Sequence, residues 1–400
     1  MLPTSRTTSM ATPTTNEKKV SRNDYICDDI AFSILSKLPV KSVKRFSCAS
    51  KSWSLLFENL NFLNKFRNNL VSKPIPLYDD DDACLLFKQI APQTTPETKL
   101  SLGLGEEAII LNLDLPSIFN VNYANPDIDI LGSAINGIIC LYDYDDHTNV
   151  ILCNPYTQEI KFVPYTPTKF QLPDDTGAFF LHGFGYDHVH DDFKVIMYVD
   201  CDLLYNEYWE DDIPDSFWEV YSLKSNAWRR LNVDNIPVLN DTPVGLEVYL
   251  DGICHWLGTK DEETYHVVSF NLSNEVFFTT PIDEYVPYCF KLAVLNGSLA
   301  MITMNDKTMS FSVSILGEIG VKESRTTIFN VEPLSFSIKH IIAYGKKGNI
   351  YSSKERSGKI ACFDLTSGMI EEIGLEGTSY IDQVVFYKKS PNLIEELINN

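Results

Sequence analysis

Residues Leu246–Thr280 read LEVYLDGICHWLGTKDEETYHVVSFNLSNEVFFTT. Three runs, EVYLDGICHWLG, YHVVSFNL and EVFFTTP, are rich in β-branched and aromatic residues and are parted by short polar stretches. That is the texture of β-strands joined by turns. The same texture recurs on both sides. One unit spans 128–163, with the turn Ile135-Asn136-Gly137 and the strands IICLYDY, NVILCNP and EIKFVP. Another spans 179–231, with FFLHGFGYD, FKVIMYVD, FWEVYSL and AWRRLN. Two more follow, holding FKLAVLNGSLAMITM, MSFSVSIL and RTTIFNV, then SIKHIIAYG, NIYSSK, KIACFDL and MIEEIGL. The closing strands of four units, anchored at Trp228, Phe277, Thr326 and Ile370, lie 49, 49 and 44 residues apart. A period near 45–50 residues with about four strands per unit is the arithmetic of a β-propeller blade. A pair of stacked antiparallel sheets is the alternative that the same alternation permits.

The ends complete the pattern. ACLLFKQI at 83–90 and EAIILNL at 107–113 have no unit of their own, and neither has the strand at 379–388. An unpaired strand is an exposed edge. Joining the two ends in one blade closes the ring, giving five blades in sequence plus one shared, about six.

In front of this body stands a different texture: ICDDIAFSILSKLPVKSVKRFSCASKSWSLLF, residues 26–57. Ile26, Ile30 and Ile34 are four apart, and Leu35 and Leu38 extend the stripe, so a helix is predicted with these on one face. Asp28 and Asp29 suit its N-terminus, and Pro39 ends it. Val40, Val43 and Phe46 mark a second short helix. Ser50 or Ser52 is placed to cap a third, carrying Trp53, Leu56 and Phe57. So small a hook makes a poor core by itself. Its surplus apolar surface is covered either by the body or by a partner, and pattern alone leaves both open. Leu60, Leu63 and Phe66 continue helically to residue 70. Lys73-Pro74-Ile75-Pro76 and Asp79 to Asp82 then form a break.

Leu38 to Trp53, LPVKSVKRFSCASKSW, closely resembles the second half of an F-box as found in plant F-box proteins, and ICDDIAFSILSK lines up with that family's opening helix. GFGYDHVHDDFKVI, FWEVYSLKSNAWRRL, VYLDGICHWLG, SFNLSNEVF and GVKES resemble the F-box-associated domain of the S-locus F-box-like and F-box-kelch type. The resemblance covers roughly residues 24–390. It implies an α+β multidomain chain: a small N-terminal three-helix F-box followed by an all-β, propeller-like domain. The expected boundaries are a disordered tail at 1–22, F-box helices at 23–70, a linker at 71–82, the β-domain at 83–390 and a C-terminal tail at 391–400. It also implies function. In the family the F-box binds Skp1, the linker to a cullin ubiquitin ligase, and the β-domain holds the target protein. By this resemblance Ile26, Ile30, Ile34, Leu35, Leu38, Pro39, Val43, Phe46 and Trp53 carry the Skp1 contact in a cytoplasmic or nuclear protein. Three positions depart from the family: Ile26-Cys27 replaces Leu-Pro, Ala49 replaces a bulky aliphatic, and Arg325 replaces Trp. The first two reduce the area expected to meet Skp1. A role in self-incompatibility is a sub-case of this reading. The alternative is a propeller binding a small molecule or glycan behind a purely structural helical front.

Charge is divided along the chain. The net is −21, yet residues 21–70 hold eight Lys or Arg against four Asp or Glu. A basic hook suits Skp1 proteins, which are acidic. The strongly acidic remainder excludes nucleic acid and fits a basic target. Nine dispersed cysteines without a C-x-x-C pair form neither a disulfide framework nor a zinc site, as expected of a reducing compartment. No run is long enough to span a membrane.

No catalytic set emerges, so a non-enzymatic subunit without cofactor or metal is expected. His188 and His190, flanked by Asp187, Asp191 and Asp192, read as a polar turn. Cys254 and His255 are strand neighbours that face opposite ways and so cannot act as nucleophile and base together. Gly103-Leu104-Gly105 is only a fragment of a phosphate-loop pattern. Asn206 to Glu219, NEYWEDDIPDSFWE, sets Tyr208, Trp209 and Phe217 among acids. Such a loop suits recognition of a basic partner.

Overall fold

The computed structural model describes residues 28–38, 40–49, 53–72, 83–90, 98–104, 107–111, 128–170, 179–201, 215–232, 247–261, 264–282, 290–295, 297–305, 308, 310–331, 338–344, 349–354, 360–365, 367, 369–373, 380–391 and 394. Three α-helices come first: α1 (Asp28–Leu35), α2 (Val40–Ala49) and α3 (Leu60–Ser72). Between the last two, Leu56–Glu58 forms a single 3-10 turn. Among its described residues the hook at 26–57 therefore holds two α-helices rather than three. The segment around Trp53 is a tight turn, and the third helix begins at Leu60. Asn59 explains that start, because its Oδ1 caps the Phe62 N–H at 3.1 Å.

Five sheets are each built from four consecutive strands. Ahead of them come β1 (Ala83–Ile90), β2 (Thr98–Leu104) and β3 (Glu107–Leu111). The first sheet holds β4 (Ile128–Ile135), β5 (Ile138–Asp143), β6 (Val150–Asn154) and β7 (Glu159–Phe162). The second holds β8 (Phe179–Asp187), β9 (Asp192–Val199), β10 (Phe217–Ser222) and β11 (Ala227–Arg230). The third holds β12 (Val248–Leu250), β13 (Ile253–Asp261), β14 (Thr264–Asn271) and β15 (Val276–Pro281). The fourth holds β16 (Phe290–Leu295), β17 (Ser298–Asn305), β18 (Ser310–Leu316) and β19 (Arg325–Val331). The fifth holds β20 (Ile338–Tyr344), β21 (Asn349–Lys354), β22 (Ile360–Asp364) and β23 (Ile370–Ile373), and β24 (Tyr380–Lys388) follows. A further sheet joins the chain ends in the order β24-β1-β2-β3. The strands β24, β4, β8, β12, β16 and β20 touch in that order and return to β24, which makes the body a propeller.

Two strands differ from the sequence reading. β2 contains the Gly103-Leu104 pair and links β1 to β3, so the closing sheet draws three strands from the front rather than two. EVYLDGICHWLG is two strands, β12 and β13, folded about Asp251 (φ 47°) and Gly252 (φ 82°). Asn136 (φ 51°) and Gly137 (φ 82°) do the same between β4 and β5. Two-residue hairpins of this hand need positive φ at both central positions, which Asn-Gly and Asp-Gly supply.

The core lies between sheets. Tyr142, Val195 and Tyr221 fill the junction of the first and second sheets, and Trp218, Trp256 and Phe270 that of the second and third. Close approach at the latter is possible because β8 carries Gly183 and Gly185. A Cβ on Gly183 would lie 2.9 Å from Cys254 Cβ. Of the expected C-terminal tail at 391–400, only residues 391 and 394 are described, and Ile394 is not free. Ile394 is fully buried in the junction of the first two sheets, and its N–H donates to Glu159 Oε2.

Candidate functional site

The hook is fastened to the propeller by half of its apolar residues. Leu35, Val43, Leu56, Phe62 and Phe66 are buried in one cluster with Ala293, Ile315, Ile328 and Phe363 of the fourth and fifth sheets. Phe32 meets Phe62 edge-on at 5.6 Å, and Phe62 stacks on Phe66 at 5.9 Å. Asn69 Nδ2 donates to Ser36 O at 3.1 Å and to Ser36 Oγ at 2.8 Å, tying α3 to the end of α1. Arg67 Nε donates to the Ile328 carbonyl on β19, with its guanidinium 5.4 Å from the Phe329 ring centre. Burial lowers the Arg67 pKa.

The other half faces outward. Ile30 is 57% exposed, Ile34 52% and Phe46 43%. Ile30 and Ile34 are one turn apart on α1, so they form a continuous patch. Leu38 and Trp53 are intermediate: they pack on the inner cluster, and Trp53 meets Phe46 edge-on at 6.0 Å. Large exposed apolar groups are expensive to leave in water.

The sequence-expected contact set is thus divided. Ile30, Ile34 and Phe46 are available to a partner. Leu35 and Val43 are not, because the propeller already covers them. Ile26 and Pro39 lie outside the described residues. The structure also exposes Leu55 and Leu60. Leu60 was legible as an apolar helical position, but no sequence signal separates outward from inward positions here. Basic Lys37 and Arg45 are exposed on the same helical unit.

The second candidate, the aromatic and acidic loop, is corrected in one place. Tyr208 and Trp209 lie outside the described residues. Phe217 is not a loop side chain: it opens β10, is buried, and its ring sits 4.0 Å beneath the Arg230 guanidinium. It supports the sheet and is not offered to a partner.

The remaining chemical candidates hold structure together. His190 Nδ1 lies 2.7 Å from Asp187 Oδ2, and His188 Nε2 lies 3.0 Å from Tyr249 Oη, both at the β8–β9 turn. Asp187 also accepts from Lys194 Nζ at 2.8 Å and Ser273 Oγ at 2.6 Å. Burial alone would raise its pKa, but these donors outweigh that and hold it far below the usual carboxylate range. Cys254 faces Gly183 and Gly185, and burial pushes its thiol well above the normal range, the opposite of an activated nucleophile. His255 Nδ1 pairs with Ser269 Oγ at 2.8 Å, and burial lowers its pKa to about 3. Among the described residues no cluster of His, Cys, Asp and Glu fits a metal ion. No helix among them is long and apolar enough to cross a membrane.

Comparison with known proteins agrees with this division into hook and propeller. The family described as F-box associated beta propeller domain matches residues 116–392, and the F-box domain matches residues 25–65. F-box protein CPR1 of Arabidopsis thaliana is 27% identical over 388 residues, covering 89% of this chain and 86% of that protein. Another Arabidopsis thaliana F-box protein is 26% identical over 323 residues, covering 75% of this chain and 74% of its own length. Among solved structures, TolB from Acinetobacter baumannii aligns at a TM-score of 0.47 with 9% identity, over 78% of this chain and 68% of that one. That last likeness is too distant to inform function. The two family matches leave little of the chain outside them: it belongs to the plant F-box proteins that carry an F-box associated beta propeller domain.

Proposed function

We propose that this chain is a non-catalytic adaptor of a Skp1-cullin-F-box ubiquitin ligase. The hook docks on a Skp1-like protein, and through it on a cullin. The propeller holds the target. The observation that carries this reading is the division of the hook into two apolar faces. One face is cemented to the fourth and fifth sheets, while Ile30, Ile34 and Phe46 remain uncovered. A purely structural helical front has no use for the second face. Leu38, Trp53, Ile26 and Pro39 complete the proposed contact at its edge. The basic charge of the hook favours an acidic partner and speeds encounter.

The mechanism is proximity. A hook packed on the fourth and fifth sheets keeps the target close to the ligase and raises the local concentration of its lysines. No side chain of this chain takes part in bond making, and the place of action is the cytoplasm or nucleus. Co-purification from plant tissue with the proteasome blocked tests the reading. Recovery of a Skp1-like protein and a cullin is expected. Their absence, with the chain itself folded and abundant, overturns the reading.

A further inference from the structure

Across the ring from the hook, the first and second sheets present a second uncovered surface. Successive strands in a sheet run antiparallel, so the β5–β6 loop and the β7–β8 connection leave from the same end of the first sheet. There Tyr144 is 51% exposed, Tyr165 40% and Phe170 75%. Tyr165 and Phe170 meet edge-on at 6.1 Å, and Tyr144 lies 6.5 Å from the His147 ring.

The patch is braced from beneath. Tyr165 Oη donates to Asn149 Oδ1 at 2.8 Å, and Lys169 Nζ donates to Asp146 Oδ2 at 2.8 Å while lying 4.2 Å above the Tyr165 ring. Thr168 Oγ1 donates to buried Glu219 Oε1 at 2.6 Å, and Trp228 Nε1 donates to the Pro164 carbonyl at 2.7 Å. Tyr165, held this way, loses little entropy on binding, which suits an interface anchor.

Its charge is negative. Lys169 is already paired with Asp146, while Asp143 and Asp145 flank Tyr144 in the loop, Asp143 accepting from the Asp145 N–H at 3.0 Å and Asp145 exposed. Burial raises the Asp143 pKa, opposed by hydrogen bonds from the Asp145 N–H and the Asn149 side chain, with a smaller rise from Asp145 and Asp146. Lys169 over Tyr165 shows within the chain the contact that such a cation would make.

We infer that Tyr144, Tyr165 and Phe170, with Asp143 and Asp145, form the target-docking surface of the propeller and take a basic, Arg- or Lys-bearing segment of a protein. The inference rests on the adaptor reading above and adds to it the face and the chemistry of the target. Aromatic faces hold the cations, and the two carboxylates set their register.

The test uses the full chain bound to its Skp1-like partner and a fluorescein-labelled peptide of four Gly-Arg-Lys repeats, followed by fluorescence anisotropy. The Gly-Glu-Asp counterpart is the reference peptide. The paired change Tyr144→Ala with Phe170→Ala is expected to raise the peptide Kd about tenfold, and Asp145→Asn about threefold. Tyr156→Ala removes an exposed ring from the other end of the sheet, in the β6–β7 turn, and is expected to leave the Kd unchanged. Each variant should retain the wild-type melting temperature and capture Skp1 equally. Equal peptide binding by the paired variant overturns the inference, because the acidic body as a whole would then be the ligand. Self-association that disappears in the paired variant overturns it in favour of a second copy of this chain. Failure of the wild type to capture Skp1 would count against the adaptor reading alone.

Discussion

The Nζ of Lys88 in β1 donates to Oδ1 of Asp129 in β4, and both side chains are buried. This is the charged bond between the closing sheet, made from the chain ends, and the first sheet made from consecutive strands. Around it, Gln383 of β24 accepts from the Ile130 N–H at 2.9 Å, and Tyr387 Oη donates to Asn154 Oδ1 at 3.0 Å. The ring closes without a covalent link where β24 pairs with β1 along a backbone ladder from Ala83 to Ile90. Side-chain bonds from both of these strands to the first sheet add to that closure.

Lys88→Met is therefore expected to destabilise the propeller by about 3–5 kcal/mol, because it leaves the Asp129 carboxylate buried without its cation. Adding Asp129→Leu should restore most of the loss, since an apolar pair avoids the desolvation cost. Urea unfolding of the two variants checks this. A single variant as stable as the wild type would mean that water reaches the pair.

Ile394 gives the second prediction. It is fully buried between the first and second sheets, six residues from the C-terminus. Ile394→Ala should cost about 2–5 kcal/mol, and thermal unfolding should register it. A loss within measurement error would mean that Ile394 contributes as little as a tail residue.

The Ile394 position also shows where sequence reading reached and where it stopped. The units at 128–163 and 179–231 are legible because runs of strand length rich in β-branched and aromatic residues are bounded by turn residues. β2 is not, because TKLSLGL carries two Leu-spaced polar positions and a glycine but no β-branched residue after Thr98. EVYLDGICHWLG reads as one apolar run, yet its Asp251-Gly252 pair is a strong local hairpin signal. Its acidic neighbours make Phe217 read as a loop residue, yet the strand begins at that residue. On α1, two helical stripes overlap: Ile30 with Ile34, and Ala31 with Leu35. Which of them turns inward is decided by Phe62, Ile315 and Ile328, far away in sequence. Periodicity finds a stripe, whereas tertiary packing decides whether it is covered.

Acid should weaken the second and third sheets before the carboxylates titrate. His182 lies between Trp218 and Trp256, at ring distances of 5.1 and 5.5 Å, and among the described residues neither of its ring nitrogens has a hydrogen-bond partner. Burial, with His147 nearby, lowers its pKa to about 3. In the unfolded chain it titrates near the ordinary value of about 6.5. Between those values the unfolded state binds the additional proton, so stability falls as pH falls from about 6.5 towards 3. His255 acts in the same direction over the same window. From pH 7 to pH 5 each should cost on the order of 2 kcal/mol. His182→Phe removes one proton site and two unpaired nitrogens, so its urea midpoint should fall less over that interval. A fall identical to that of the wild type would remove His182 from this account.

The hook gives the last prediction, because its two faces separate docking from folding. Ile34 and Leu35 are consecutive on α1, one 52% exposed and the other 3%. Leu35→Ala opens a cavity against the fourth and fifth sheets and should destabilise the hook by about 2–5 kcal/mol. Ile34→Asp changes a solvated position, where surface substitutions usually stay within about 0.5 kcal/mol. Yet it sets a carboxylate in the middle of the face proposed to meet an acidic partner, where like charges repel and a buried one has no partner. Ile34→Asp should therefore abolish capture of the Skp1-like protein while leaving the melting curve unchanged. Leu38 lies between these cases: it packs half-buried on the inner cluster, so Leu38→Ala should lower both stability and capture. Pull-down and thermal melting, run on the same preparations, separate the three. If Ile34→Asp captured Skp1 as well as the wild type does, the outward stripe of α1 would not be the docking face.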